Sequence, residues 1–176
     1  MDGTRFDDYS PMKNFLRRLR GASLRRLTSL DAYALWAQQY DPQPHNALMQ
    51  LEQQTMRWLM PDLNSKVVLD LACGTGRYGQ ISLDAGASLV VEADNSASML
   101  HENKLSNRLL TPMHQMPFQN ACFDVVLCGL AIGHYQDLSS VVCEIGRVLK
   151  RGGIALISDF HPAQVAAGAQ RTFQSS

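Results

Sequence analysis

The residues with the clearest capacity for chemistry lie in one glycine-rich stretch, Val67-Val68-Leu69-Asp70-Leu71-Ala72-Cys73-Gly74-Thr75-Gly76-Arg77-Tyr78-Gly79. Its apolar start predicts a buried strand, and its glycines predict a turn that opens a helix. Glycines let a ligand approach the backbone, and the first turn of a helix offers free N–H groups to an anion. In an open α/β sheet, ligands bind at the carboxyl ends of the strands. The stretch therefore predicts a ligand-binding loop.

Two carboxylates near this loop indicate which ligands it would accept. Asp70 ends the predicted strand, where a pyrophosphate would lie close to a like charge at an electrostatic cost. The glycine spacing matches the dinucleotide fingerprint, but that pattern alone is weakly specific. Asp94 ends the next predicted strand, from which a carboxylate can accept both hydroxyls of a ribose, and Glu92 is a rival for this role. The carboxylates favour an adenosine-containing ligand with cationic groups over a nicotinamide dinucleotide.

Histidine supplies the candidate general base. His134 follows the fourth predicted strand, on the rim of the sheet that carries the glycine-rich loop, and a hydroxyl acceptor would profit from a base there. His161, after the fifth predicted strand, is a second candidate, and a structural or solvent contact is the alternative role for both. The four cysteines are scattered, with no CxxC pair and no nearby histidine pair. We therefore expect neither a metal site nor a disulfide framework.

The elements that must position these residues alternate from Lys66 onward. Short apolar runs predict strands, and the patterns between them predict helices. The strands are Val67–Leu71, Ser88–Ala93, Arg108–Thr111, Phe123–Cys128 and Ile154–Ser158, and the helices are Gly76–Ala85, Ser96–Lys104 and Asp137–Lys150. Strands that alternate with helices indicate a parallel sheet with helices on both faces. We predict an α/β fold with a doubly wound, mostly parallel sheet of about five strands.

The first part of the chain predicts a helical cap that ends near Pro61. One helix would begin at Ser10-Pro11 and break or bend at Gly21, within a cationic stretch from Lys13 to Arg26 that holds no acid. A second helical stretch follows Ser29. A third has apolar and other residues at helical spacing: Leu48, Leu51, Thr55, Trp58 and Leu59. Residues 1–61 would form the cap and residues 62–176 the α/β domain.

The ordered motifs of the chain resemble those of class I S-adenosylmethionine-dependent methyltransferases. The motifs that carry the resemblance are, in order, Val68–Gly76, Glu92–Leu100, Met116–Phe118, Phe123–Val126 and Glu144–Gly153. The match runs from about residue 33 to residue 161. It implies a Rossmann-like methyltransferase fold, S-adenosylmethionine as cofactor and methyl transfer to a small-molecule acceptor. For a hydroxyl acceptor, the position of His134 on the rim makes it the candidate catalytic base.

The resemblance also implies which residues would hold the amino-acid end of the cofactor. Asp70 would organise the turn and bind the amino group, and the backbone at Ala72, Gly74 and Gly76 would line the amino-acid moiety. Cys128, at the end of the fourth strand, would face the reacting end. Ala72 departs from the pattern, because many members of the family have glycine at this position.

The adenosine end would have its own set of residues. Asp94 would hold the ribose, and Asn95 and Met99 would lie beside the adenine. Met113 would offer its backbone N–H to the ring. Tyr40, in a segment similar to a lead-in common in small-molecule members, would act as a lid over the cofactor.

The end of the chain departs from the resemblance. The sheet of the family has seven strands, the last two forming a hairpin beside the fifth, and the eighteen residues after Ser158 are too few for it. The fifth strand, Ile154–Ser158, would then be an exposed apolar edge. We expect a second copy to pair there and form a homodimer, with residues 160–176 folding over the edge as the alternative.

Two other functions remain open at this point. A truncated methyltransferase-like chain could act as a catalytically impaired binding or regulatory protein, and a nicotinamide-dependent oxidoreductase is the second alternative. Zero net charge and a pI near 6.9 disfavour nucleic acid as a partner. No apolar run suits a membrane span, and the acidic start does not suit a signal peptide, so we expect a cytoplasmic protein.

Overall fold

A computed structural model of the chain describes residues 27–161 and residue 163. The helix predicted from Ser10 and the cationic stretch that ends at Arg26 lie outside the described residues. The same holds for most of the segment after His161. Among the described residues, none of the helices reaches the length and apolar character that a membrane crossing requires.

Five parallel strands form one sheet in the order β3-β2-β1-β4-β5. The strands are β1 Val67–Leu71, β2 Leu89–Asp94, β3 Arg108–Leu110, β4 Phe123–Gly129 and β5 Leu149–Ser158. The chain runs outward from β1 to β2 and β3, and then returns to place β4 and β5 on the other side of β1. The topological switch point therefore lies between β1 and β4, which is where such sheets bind ligands. The predicted fold class is confirmed.

The helices flank the sheet, and all of those described except the helix that follows β1 begin at a capping side chain. They are α1 Ser29–Trp36, α2 Ala47–Leu59, α3 Arg77–Asp84, α4 Ala97–Glu102 and α5 Leu138–Val148, with short 3-10 turns at Ala37–Gln39 and Ile132–His134. Side-chain oxygens of Thr28, Asn46, Ser96 and Asp137 accept first-turn N–H groups of α1, α2, α4 and α5. Such caps satisfy donors that have no partner within the helix.

The last helix is shorter than its sequence pattern predicts. The prediction extended it to Lys150, but α5 ends at Val148 and the next residues already belong to β5. The register between β4 and β5 shifts between Phe123 and Val125, because β5 begins early and carries a bulge. A pattern of helical residues cannot reveal this bulge, since it depends on the pairing with β4.

Alternation along the strands divides the core into two layers. One face of the sheet packs against α2 and α3 through the buried residues Met56, Leu63, Val68, Tyr78, Ile81, Val90, Val125 and Leu127. The other face packs against α5 through a larger cluster that includes Leu69, Val126, Cys128, Val141 and Ile145. Successive residues of a strand point to opposite faces, so both layers follow from one apolar run.

The third predicted helix is present as α2, but the residues whose spacing indicated it do not form its buried face. Leu48, Leu51, Trp58 and Leu59 are exposed, with Trp58 82% accessible. The buried stripe consists instead of Met49, Glu52 and Met56. Glu52 can be buried on this face because it finds polar partners there. Met56 packs in the same core cluster as residues of the strands. The domain boundary near residue 61 stays a prediction.

Candidate functional site

The turn after β1 is built from residues in the left-handed region of backbone space. Ala72 has φ 57°, Gly74 has φ 55° and Gly76 has φ 92°. The glycines adopt this conformation without a steric penalty, whereas the Cβ of Ala72 costs about 1–2 kcal/mol. The N–H of Gly76 donates to the carbonyl of Cys73 at 2.9 Å, which closes the turn just before α3. The start of α3 thus lies at the switch point between β1 and β4.

Asp70 organises this turn from below. Its side chain is 1% exposed, and its Oδ2 accepts the N–H of Gly79 at 2.8 Å, which ties the end of β1 to α3. Asp70 also lies directly opposite Glu92 in the pairing of β1 with β2. Burial and the adjacent Glu92 carboxylate raise the pKa of Asp70 well above its usual range. The turn-organising role therefore has a structural basis, and its contact with an amino group stays a prediction.

Asp94 connects the turn to the start of α4. Its two carboxylate oxygens accept the N–H of Gly74 and the N–H of Ser96, each at 2.8 Å. Burial raises the pKa of Asp94, and the N–H donors of Ser96 and Gly74 oppose the rise. A carboxylate oxygen accepts more than one hydrogen bond, so both oxygens keep capacity for the hydroxyls of a ribose.

Glu92, the rival of Asp94, lies behind the turn. It is fully buried, and its Oε2 accepts from the Nδ2 of Asn103 at 2.8 Å. A Cβ on Gly79 would come within 1.4 Å of Glu92 Oε1, so this carboxylate fills the space that the glycine leaves. Burial raises its pKa. Because Glu92 is enclosed, the geometry favours Asp94 for a ribose.

Asn103 is a site residue that the sequence analysis missed. Its side chain is 1% exposed, and its Nδ2 also lies 3.4 Å from the carbonyl oxygen of Gly74. A Cβ on Gly76 would approach the Asn103 amide to 2.7–2.9 Å, so the two residues fit closely. Asn103 follows a short helix in a polar stretch, and only tertiary packing distinguishes it from a solvent-exposed asparagine.

The residues predicted to surround an adenine differ in their environment. Asn95 is exposed at the end of β2, while Met99 is buried, with its methyl group next to the turn at Gly74. The N–H of Met113 donates to the hydroxyl of Tyr135 at 3.2 Å. A nucleobase would have to replace this hydroxyl as the acceptor, so the adenine contact of Met113 stays a prediction.

Cys128, which was predicted to face the reacting end of a cofactor, has its side chain in the core. Its side chain is fully buried in the cluster beneath α5, together with Leu71, Val141 and Ile145. Along β4 the neighbouring position Leu127 points to the α3 face, and Cys128 therefore points to the α5 face. A contact between Cys128 and the reacting end of a cofactor stays a prediction.

α1 and the turn that follows it carry aromatic side chains, of which Tyr33 reaches the rim of the sheet. The hydroxyl of Tyr33 lies 3.1 Å from Nε2 of the exposed His134, and their rings meet edge to face. Tyr40 is half-buried and its ring centroid lies 4.6 Å from that of Trp36 and 5.5 Å from that of His45. The structure thus brings α1 next to His134, whereas the closing of Tyr40 over a ligand stays a prediction.

A buried carboxylate that the sequence analysis missed lies beside the switch point. Oε1 of Glu52 accepts from the hydroxyls of Tyr78 at 2.7 Å and Ser158 at 2.5 Å, and Oε2 pairs with Nη2 of Arg77 at 2.9 Å. Gly129 ends β4 against this group, because a Cβ there would lie 3.1 Å from Glu52 Oε1. The sequence offers one signal for the burial of Glu52, which is its position between Met49 and Met56 on one face of the helix.

Comparisons with known proteins agree with this architecture. Residues 69–157 match a family model described as a methyltransferase domain. A demethylmenaquinone methyltransferase of Lactococcus lactis is 35% identical over 115 residues, which cover 58% of this chain and 46% of that protein. A malonyl-[acyl-carrier protein] O-methyltransferase of Hamiltonella defensa is 32% identical over 101 residues, which cover 55% of this chain and 39% of that protein. The chain spans about half the length of the curated relatives it matches.

Solved structures share the same fold. A crystal structure from Listeria monocytogenes, assigned to the S-adenosylmethionine-dependent methyltransferases, has a TM-score of 0.63 and 27% sequence identity. The similarity covers 70% of this chain and 61% of that one. The family model alone covers half of the 176 residues, including the turn after β1 and the strands on both sides of it. The chain belongs to the methyltransferase-domain family.

Proposed function

We propose that this chain binds S-adenosylmethionine in the turn after β1 and directs methyl transfer to a small-molecule acceptor. The observation that carries the proposal is the left-handed turn at the switch point with Asp70 beneath it and Asp94 beside it. Membership of the family and the activities named for the relatives support the same reaction. The activity and the cofactor are proposed for the whole protein on this basis.

The side chains around the turn fit the charges of this cofactor. The carboxylates of Asp70 and Asp94 suit a ligand that carries an ammonium and a sulfonium group. At the start of α3, Thr75 Oγ1 and Arg77 Nη1 are buried and have no hydrogen-bond partner among the described residues. Orphaned donors at a helix N-terminus suit a carboxylate. The same carboxylates oppose the pyrophosphate of a nicotinamide dinucleotide, which disfavours the oxidoreductase alternative.

Methyl transfer mainly requires that this chain aligns the reactants and excludes water. When bound, S-adenosylmethionine supplies a methyl group that is already activated. The turn would hold the amino-acid end and Asp94 the ribose, which fixes the direction of the methyl group. At the rim, His134 would accept the proton of a hydroxyl acceptor, and the hydroxyl of Tyr33 at 3.1 Å would orient its ring.

The acceptor is proposed only as a class. One relative is named for demethylmenaquinone and another for malonyl-[acyl-carrier protein], so one domain type serves different acceptors. Both names describe substrates other than nucleic acid. We propose a small-molecule acceptor, and mass spectrometry of products formed from labelled cofactor and a metabolite extract would identify it.

Thermal unfolding in the presence of ligands tests the cofactor. We expect S-adenosylmethionine and S-adenosylhomocysteine to raise the midpoint of unfolding and NADH to leave it unchanged. A ligand at a hundredfold excess over its Kd stabilises by roughly 2.7 kcal/mol, which a thermal scan detects easily. A response to NADH alone would overturn the proposal. An unchanged midpoint of unfolding with all three ligands would favour the alternative of a catalytically impaired binding or regulatory protein.

A further inference from the structure

Two buried carboxyl groups meet beneath the turn, next to Gly79. Asp70 and Glu92 are opposite each other in the pairing of β1 with β2, so their side chains leave the sheet on the same face. Asp70 Oδ2 accepts the N–H of Gly79 at 2.8 Å, and a Cβ on Gly79 would lie 1.4 Å from Glu92 Oε1. The backbone of one α3 residue therefore lies against both carboxyl groups. Two such groups in one buried place repel each other when both are charged.

Glu92 lacks the partners that a buried negative charge requires. Its Oε2 accepts from Nδ2 of Asn103 at 2.8 Å, whereas its Oε1 is buried and has no hydrogen-bond partner among the described residues. Within the same part of the chain, no cationic side chain forms an ion pair with Glu92 or with Asp70. A buried carboxylate without a cation is more stable when it carries a proton. The contacts of the pair therefore favour one charge in place of two.

The other titratable groups that face this pair come from the turn, from β2 and from α3, and they are Cys73, Asp94, Arg77 and Tyr78. Burial raises the pKa of the Cys73 thiol and of the Tyr78 hydroxyl, so both stay neutral. Arg77 favours the charged form of Asp70, but its guanidinium already pairs with a carboxylate of α2. Burial and the adjacent Glu92 outweigh Arg77, and the pKa of Asp70 lies well above its usual range. The surroundings thus keep a proton on the pair.

We propose that Asp70 and Glu92 share one proton in the ligand-free protein, and that the cationic end of S-adenosylmethionine expels this proton when it binds. The inference rests on the proposed function, since it concerns the charge of the site that would receive the ammonium and sulfonium groups. A positive charge beside Asp70 favours the ionised form, so the carboxyl O–H bond breaks and the proton passes to water or buffer. Glu92 is enclosed and acts on the ligand only through Asp70, as a positioning residue.

The shared proton fixes how the affinity for a cationic ligand depends on pH. While the pair still carries the proton, binding must remove it, and the Kd falls by up to about tenfold for each unit that the pH rises. At higher pH the proton is already absent, and the Kd becomes constant. A purely structural role of Glu92, which fills the space beside Gly79, would affect the Kd equally at every pH.

Two ligands that differ in the ammonium group separate this effect from other titrations. S-adenosylhomocysteine carries the group, and 5′-methylthioadenosine lacks it but keeps the adenosine and the sulfur. We expect calorimetry to give a Kd for S-adenosylhomocysteine that falls by roughly tenfold or more between about pH 5 and about pH 8. At the lower pH its binding enthalpy should vary with the ionisation enthalpy of the buffer, which reports the released proton. 5′-Methylthioadenosine should release no proton from the pair, and its Kd should change far less.

Glu92→Gln tests whether the proton belongs to this pair. The glutamine keeps an oxygen for Asn103 and removes the carboxyl group that opposes ionisation of Asp70. We expect the variant to bind S-adenosylhomocysteine within about twofold of the unmodified protein at pH 8 and to lose most of the pH dependence, so that it binds more tightly than the unmodified protein at pH 5. Glu102→Gln, which removes a half-buried carboxylate at the end of α4, is the matched control and should keep the full pH dependence.

Four results would overturn the inference, and each has a separate meaning. A constant Kd for S-adenosylhomocysteine in the unmodified protein would show that binding expels no proton. An unchanged pH profile in Glu92→Gln would show that the proton belongs to another group. An equal loss of affinity at every pH in Glu92→Gln, with circular dichroism showing a folded protein, would show that Glu92 only supports the turn. If the unmodified protein binds neither ligand at any pH, the proposed function itself fails and the inference fails with it.

Discussion

At the scale of single residues, Asp94 combines a structural and a ligand-binding task in one carboxylate. It holds the N–H groups of Gly74 and Ser96, and the proposed function adds the ribose hydroxyls. We expect Asp94→Ala to weaken the binding of S-adenosylhomocysteine by about 1.5–3 kcal/mol, the usual cost of losing hydrogen bonds to a charged group. Calorimetry measures this loss, and circular dichroism verifies that the variant is folded.

Asp84→Ala serves as the control for Asp94. Asp84 ends α3 and its carboxylate accepts from the side chain of Gln80 at an exposed position. Its removal should leave the affinity for S-adenosylhomocysteine unchanged. An unchanged affinity in Asp94→Ala as well would contradict the ribose assignment. Glu92 could not take over the role without reorganisation, since it is enclosed behind the turn.

Ala72 is a residue whose backbone conformation suits glycine better than alanine. Its φ of 57° lies in the left-handed region, where a Cβ costs about 1–2 kcal/mol. Glycine avoids this cost, but the larger backbone entropy of glycine in the unfolded chain offsets part of the gain. We expect Ala72→Gly to raise the free energy of unfolding by about 0.5–1 kcal/mol in urea titrations. Ala97→Gly, in the ordinary helical conformation of α4, should lower it by a similar amount. A loss of stability in both variants would show that the Ala72 methyl group contributes packing that outweighs the strain.

At the scale of elements, the pairing of β1 with β2 places two carboxylates side by side. Asp70 and Glu92 are opposite each other in register, and both are buried on the α3 face. Burial raises the pKa of both groups, and each carboxylate in its charged form disfavours ionisation of the other. Ionisation of this pair is therefore easier in the unfolded chain than in the folded one.

The sign of the resulting pH dependence follows from the raised pKa of Glu92. The unfolded chain ionises first, near the ordinary pKa of about 4.3, so the folded state binds more protons above that pH. The contribution of Glu92 to the free energy of unfolding is complete below the pKa that Glu92 has in the unfolded chain. It is lost as the pH rises through the pKa that Glu92 has in the folded protein. We expect Glu92→Gln to be more stable than the unmodified protein at pH 8, by about 1.4 kcal/mol for each unit of the pKa rise, and the difference to shrink toward pH 4.5. Urea titrations across this range measure the difference.

A charge-matched control isolates the buried position. Glu102→Gln removes a half-buried carboxylate at the end of α4. The glutamine at position 92 keeps an oxygen for Asn103, so the hydrogen bond at 2.8 Å has a counterpart in the variant. A stability difference for Glu92→Gln that stays constant with pH would show that Glu92 gains nothing from being protonated in the folded protein.

Periodicity in the sequence was sufficient to predict where the strands lie. It was insufficient to predict which face of a helix is buried. The runs at β1, β2 and β4 are continuous and apolar because both of their faces are buried, so their positions could be predicted within a residue or two. On α2 the apolar residues Leu51 and Trp58 are exposed and Glu52 is buried. The burial of Glu52 depends on Tyr78, Arg77 and Ser158, which are distant in sequence.

The residues of the candidate site also include some that the sequence could predict and some that it could not. The turn at Ala72–Gly76 and the carboxylates Asp70 and Asp94 could be predicted because their order along the chain fixes their place at the ends of neighbouring strands. Asn103 could not, since its contact with Glu92 forms only when α4 packs against the sheet. The burial of the Cys128 side chain could not be predicted either, because a position near a strand end does not determine which face of the sheet the side chain occupies.

At the scale of the whole molecule, β5 is the outermost strand of the sheet. It pairs with β4 on one side, and no strand among the described residues pairs with its other side. Ile154 and Ile157 are 45% and 38% exposed, and no charged residue lies between Arg151 and Asp159. Backbone groups and apolar side chains are therefore exposed together along residues 152–158, the part of β5 that follows Lys150 and Arg151. Such an edge lacks the charges and prolines that commonly prevent pairing with another chain.

We propose that a second copy of the chain pairs with β5 across a twofold axis. Two edge strands related by such an axis are antiparallel and complementary to each other, so one continuous sheet of ten strands would result. Sedimentation velocity over a hundredfold range of concentration should show a sedimentation coefficient that rises from the monomer to the dimer. Ile157→Lys places a charge at the edge and should keep the protein monomeric, while Leu83→Lys, at a similarly exposed position of α3, should not. A monomer at every concentration, together with slow amide exchange in residues 154–158, would show that the edge is covered within one chain and that the dimer does not form.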